Sequence, residues 1–152
     1  MIYTINGYSL NSNVNDYPEG ALLPFSEDSY ASYETFGIKR LFKNEKFYWI
    51  ENKVFLNKEC SEAVLATVND RIYKIMFRIH DTTFENCSNT RNQIVDYVFQ
   101  YFNFQAEVIE LDESKKLLCW DSAHGNVILE VERWDTAIIL TSNIVKDAIK
   151  CG

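Results

Sequence analysis

The sequence predicts an α+β fold: a curved, mainly antiparallel sheet of hairpins and a meander, with one long helix packed on one face and a short C-terminal helix. Three observations predict it. Runs of β-branched and aromatic residues recur along the chain, separated by short polar gaps that favour antiparallel neighbours. The apolar period changes from two to that of a helix at residues 86–104. Strands and helices do not alternate in the way that parallel βαβ units require.

Taken in order, residues 1–10 alternate as a strand, and the stretch NSNVNDYPEG that follows is dense in turn formers. Pro24 blocks a helix through the acidic, aromatic segment beyond it. A short helix fits residues 27–33, with Ser26 as its cap, and residues 26–36 form either a lid or a surface-hugging loop. Residues 11–34 are the less regular part of one 152-residue domain. Strand composition returns at 35–42 and 46–55. Residues 63–68 and 71–80 flank Asn69-Asp70 and read as a hairpin. In the second of these strands Tyr73, Ile75, Phe77 and Ile79 share one face, which is expected to meet the core.

The helix at 86–104 carries Ile94, Val98, Tyr101 and Phe102 on one stripe, widened by Val95 and Phe99, with Ser88 or Asn89 as its cap. Four strand-like runs follow at 106–111, 117–121, 127–133 and 136–141. Residues 143–150 suit a final short helix, with Ile144, Val145, Ala148 and Ile149 on one side.

The net charge of −7 opposes binding to nucleic acid and to anionic membranes, both of which depend on Lys and Arg. It favours a basic partner. Cys60, Cys87, Cys119 and Cys151 show no metal-ligand or redox spacing, and the N-terminus lacks a signal-peptide pattern. A cytoplasmic chain with reduced thiols is the expectation. Asn, Ile, Lys, Tyr and Phe are abundant, which points to an AT-rich, bacterial type of source gene.

The stretch CWDSAHGN places Cys119, Asp121 and His124 close in sequence. A thiol, a base and an orienting carboxylate would make a nucleophilic site. Strand alternation places Cys119 between Leu118 and Trp120 well before the turn, so the stretch reads as a hairpin tip instead. His80 and His124 with Asp81 or Asp121 would make a minimal metal set, but no ligand spacing supports it. No phosphate-, dinucleotide- or calcium-binding pattern occurs, so neither a catalytic residue, a metal nor a cofactor is assigned.

The binding residues expected are Trp120, Asp121, His124, Glu130, Glu132 and Trp134, forming an acidic, aromatic-bearing sheet face. In size, acidity and build the chain is similar in type to small bacterial immunity and inhibitor proteins. The leading expectation is therefore a non-enzymatic module that binds a basic protein or another copy of itself. The alternative is a small-ligand binder or cofactor-free enzyme with its pocket between helix 86–104 and the sheet.

Overall fold

The computed structural model describes residues 4–35, 44–101, 105–110, 115–121, 125–132 and 134–142. Its elements are β1 (Thr4–Ile5), β2 (Tyr8–Ser9), a 3-10 turn (Val14–Asp16), β3 (Leu22–Pro24), α1 (Glu27–Thr35), β4 (Glu45–Ile50), β5 (Val54–Phe55) and β6 (Lys58–Glu59). Then follow β7 (Glu62–Val68), β8 (Arg71–His80), α2 (Phe84–Tyr101), β9 (Gln105–Glu110), β10 (Lys115–Asp121), β11 (Gly125–Glu132) and β12 (Asp135–Ser142).

Eight of the strands form one antiparallel sheet in the order β3-β4-β7-β8-β12-β11-β10-β9. The last strand, β12, is inserted at the centre and pairs β8 on one side and β11 on the other. Two small hairpins, β1-β2 and β5-β6, stand outside the sheet.

Each face of the sheet carries its own apolar cluster. On the α2 side, Leu65, Ile75, Phe77, Leu129, Ile138 and Leu140 pack with Ile94 and Val98 of the helix and with Ile5, Leu10 and Val14 of the N-terminal segment. On the opposite side, Phe25, Phe47, Val64, Ala66, Val68 and Tyr73 pack with Tyr30 and Tyr33 of α1 and with Trp49 and Met76. The sheet is thus sandwiched at its β3-β4-β7-β8 end.

Local chemistry sets the elements. Asn69 and Asp70 both take positive φ, 52° and 65°, which the tight β7-β8 hairpin requires. Ser26 Oγ accepts from Ser29 N at 3.2 Å and so caps α1, two acidic residues of which sit in its first turn. Thr83 does the same for α2, its Oγ1 accepting from Asn86 N at 3.1 Å.

Several expectations need correction. Among the described residues, a long central helix followed by a short C-terminal one is not the pattern formed: sheet dominates, and the helices are α1 and α2. The second helix is therefore an N-terminal one, held on the far face by Phe25, Tyr30 and Tyr33. The proposed C-terminal helix at 143–150 lies outside the described residues, as does the strand expected at 35–42 apart from Thr35, which ends α1. The α2 cap is Thr83 rather than Ser88 or Asn89, because the helix begins earlier, at Phe84. Phe99 does not join the apolar stripe; it is 59% exposed, lying about 140° around the helix from Ile94.

Tyr73 also changes sides. Ala66 pairs with Lys74, while Thr67 pairs with Ile72, so Tyr73 is the extra residue of a β-bulge. Ile72 joins the α2-side cluster and Tyr73 the other. Its hydroxyl donates to Glu45 Oε1, and both residues are buried. Burial, and then the hydrogen bond to Glu45, push the Tyr73 phenol well above the usual tyrosine range. Among the described residues, no helix is long and apolar enough to cross a membrane.

Candidate functional site

The charged side chains cluster where β8, β11 and β12 meet the start of α2. β8 ends with Arg78, Ile79 and His80, and Asp81 follows it. Asp81 N donates to Trp134 O at 2.9 Å, which fixes the β11-β12 turn beside the β8-α2 connection. Trp134 is 43% exposed, and Phe84, three residues beyond Asp81, is 78% exposed. Two large apolar side chains therefore face water at one end of the sheet. Such rings carry much of the energy in protein interfaces when they are buried.

Each of the two is followed in sequence by a carboxylate, Glu85 after Phe84 and Asp135 after Trp134. Glu85 is exposed in the first turn of α2. His80 Nδ1 and Asp135 Oδ1 are 2.9 Å apart, and the carboxylate can only accept, so the ring nitrogen donates. Register sets Asp135 opposite both His80 and Glu132, and Glu132 opposite Lys115.

A second row lies one step further into the sheet. Register carries it from Glu62 through Arg78 and Ala137 to Glu130. Ala137 is small, so Arg78 Nη2 reaches past it to Glu130 Oε1 at 4.0 Å. Glu62, although opposite Arg78, accepts a hydrogen bond from the Tyr33 hydroxyl of α1.

Burial raises the Glu62 carboxyl above its ordinary value of 4.5; Arg78 opposes the shift and Asp135 adds to it. A raised acid binds its proton more tightly when folded. Stability is therefore expected to fall as pH rises from about 4.5 through the folded value, and the cost of the buried charge stays in place above it. Glu62→Gln, which keeps an acceptor for Tyr33, should flatten that slope and raise the melting temperature at pH 7. Thermal melts of both proteins across pH 4–8 check the direction.

Opposite the acidic end, the α2 connection is latched. Lys58 Nζ donates to Thr90 Oγ1 at 2.5 Å, and Thr90 Oγ1 donates to Asp81 Oδ2 at 2.8 Å. Lys58 and Asp81 are also 3.8 Å apart as an ion pair. Thr90 is fully buried, which makes the relay a structural tie and not an accessible nucleophile.

Two cavities lie among the described residues. An open groove of about 420 Å³ lies between the outer side of α2 and the β5-β6 hairpin, lined by Leu56, Asn57, Gln93, Asp96, Tyr97 and Gln100. The space between α2 and the sheet is filled instead by Ile94 and Val98, both fully buried. A smaller cavity of about 70 Å³ lies on the other face, between Tyr33 of α1 and β4, β7 and β8.

The expected binding residues divide by register. Trp134 lies in the turn at the acidic end, Glu132 stands opposite Asp135 by register, and Glu130 lies one step further in, opposite Ala137. Trp120 falls in the row of Val127 and Leu140, and Asp121 in the row of Asn126 and Thr141, so neighbours in sequence enter alternate rows. His124 lies outside the described residues. Cys119 sits within β10, opposite Ile128 and Glu107. Among the described residues, no group of three or more metal-ligating side chains comes together.

Sequence reasoning missed Phe84, Glu62 and Arg78. Phe84 carried a signal, because an apolar residue just after a capping threonine starts α2 outside its buried stripe. The grouping of Glu62, Arg78 and Glu130 carried none, because it depends on which strands pair. Comparison with protein-family models, with curated proteins and with solved structures finds no match to the chain.

Proposed function

We propose that the protein is a non-enzymatic binding module that engages a basic protein partner through the end of the sheet at Trp134. The observation that carries this reading is the pairing of two water-facing rings, Trp134 and Phe84, with the carboxylates of Glu85 and Asp135. Long-range attraction from the −7 chain would draw a cationic surface in, and the rings would supply contact area once water is excluded. Glu130 and Glu132 of β11, opposite Ala137 and Asp135 by register, are assigned to the same proposed surface.

Neutralisation of a basic toxin, in the manner of an immunity or inhibitor protein, fits this combination of small size and acidic surface. A reducing, cytoplasmic setting is supported by Cys60 and Cys87, both buried thiols outside any disulfide. Burial pushes the Cys60 thiol up to about 11, so it remains a neutral, unreactive packing residue at pH 7.

The test is capture of the partner by wild type and by a Trp134→Ala/Phe84→Ala double variant. Both positions are exposed, so the variant should keep its fold within about 0.5 kcal/mol per site. The expected result is a basic protein retained at low salt, released as ionic strength rises, and bound more than about tenfold more weakly by the double variant. Equal retention by the two proteins would remove the proposed surface, whatever is captured.

A further inference from the structure

The small cavity beneath α1 contains a polar edge that the fold leaves unused. Its wall is made by Tyr33, Phe47, Glu62, Val64, Ala66, Lys74, Met76 and Arg78. Arg78 Nε is buried, with no hydrogen-bond partner among the described residues. On the same guanidinium, among the described residues, Nη2 reaches Met76 Sδ at 3.8 Å and Glu130 Oε1 at 4.0 Å. Both distances exceed the 2.7–2.9 Å typical of a charge-assisted N–H···O bond. The nearest carboxylate by register, Glu62, is taken by Tyr33. A buried donor without an acceptor is costly, and it is seldom left so in a settled fold.

We propose that this cavity binds a small organic monocarboxylate, its head held by the Nε and Nη2 edge of Arg78 and its short apolar tail lying on Phe47, Val64, Ala66 and Met76. A planar carboxylate matches that two-donor edge in a way a single hydroxyl or carbonyl does not. Lys74 adds a second cation at the wall. A dianion such as phosphate fits poorly, because Glu62 and Glu130 flank the guanidinium on the two sides of its row. The volume of about 70 Å³, room for about two waters, limits the tail to one or two carbons. This site is separate from the protein-binding end at Trp134 and does not depend on it.

Calorimetric titration of the full chain with acetate and propanoate, against acetamide and propanamide, tests the assignment. Each acid should bind about tenfold or more tightly than its amide, the margin expected of a hydrogen bond to a charged group. Arg78→Gln should erase the preference. Lys74→Gln, at an exposed position that leaves folding intact, should weaken the acids and leave the amides unchanged. In wild type, the Arg78 Nε nitrogen resonance should move on titration with acid, which keeps the test open if the Arg78 variant fails to fold. Equal affinity for acid and amide, an absence of acid binding at millimolar concentration, or acid binding that leaves the Arg78 resonance unmoved would each overturn the proposal.

Discussion

Replacing Phe77 with alanine is expected to destabilise the protein by about 3–5 kcal/mol, the range for a large aromatic removed from a packed core. Phe77 is fully buried at the centre of β8, with Ala63 and Ile138 as its register neighbours. Its ring stacks on Phe55 with centroids 5.6 Å apart, and Phe55 meets Tyr97 edge-on at 5.1 Å. One ring thus ties the β5-β6 hairpin, the sheet and α2 together. Ala63 is already minimal, so it offers no bulk to fill the space, and the void should persist. Against a total stability of about 5–15 kcal/mol for a domain of ordinary size, the loss is large. Equilibrium denaturation in urea measures it: the midpoint should drop with the slope unchanged. A loss under about 1 kcal/mol would mean that the stack does not hold these elements together.

Asp81→Ala is expected to cost about 1–3 kcal/mol, through the polar groups it strands and not through lost apolar contact. The Thr90 hydroxyl is fully buried and would lose Asp81 as its acceptor, while Lys58, 29% exposed, would lose its counter-charge. The effect should concentrate at the first turns of α2, whose amides should exchange with solvent faster. A double-mutant cycle identifies the cause. Thr90→Val removes the stranded donor, so Asp81→Ala should cost clearly less in that background than in wild type. Additive effects would show that Asp81 acts on α2 by another route.

Much of the architecture was legible because it follows from neighbours in sequence. The β7-β8 hairpin rests on Asn69 and Asp70, residue types that tolerate positive φ better than most. α1 rests on Ser26, and the inner stripe of α2 on the helical spacing of Ile94 and Val98. The antiparallel character of the sheet follows from short gaps between apolar runs. The side taken by Tyr73 was not legible. Alternation alone gives it the face of Ile75 and Phe77, and only the bulge opposite Ala66 and Thr67 transfers it to the α1 side. Phe99 was misread for a related reason: a broad apolar stripe in a sequence does not show how wide a strip the sheet covers.

The candidate site divides along the same line. Trp134 as an exposed turn residue, and Glu130 and Glu132 as members of one register series, follow from short-range pattern. Trp120 looked like part of the same surface until pairing placed it in the row of Val127, which is buried.

By itself, the chain determined its charge, the β7-β8 hairpin, the existence of both described helices and the period of the longer strands outside the bulge, because those depend on residues a few positions apart. Tertiary structure decided that β12 enters between β8 and β11, and with it that Arg78 stands between Glu62 and Glu130. The reason is physical: a two-residue period says which residues share a face, whereas the partner across the ladder is chosen by burying whole apolar faces against α1 and α2 at once.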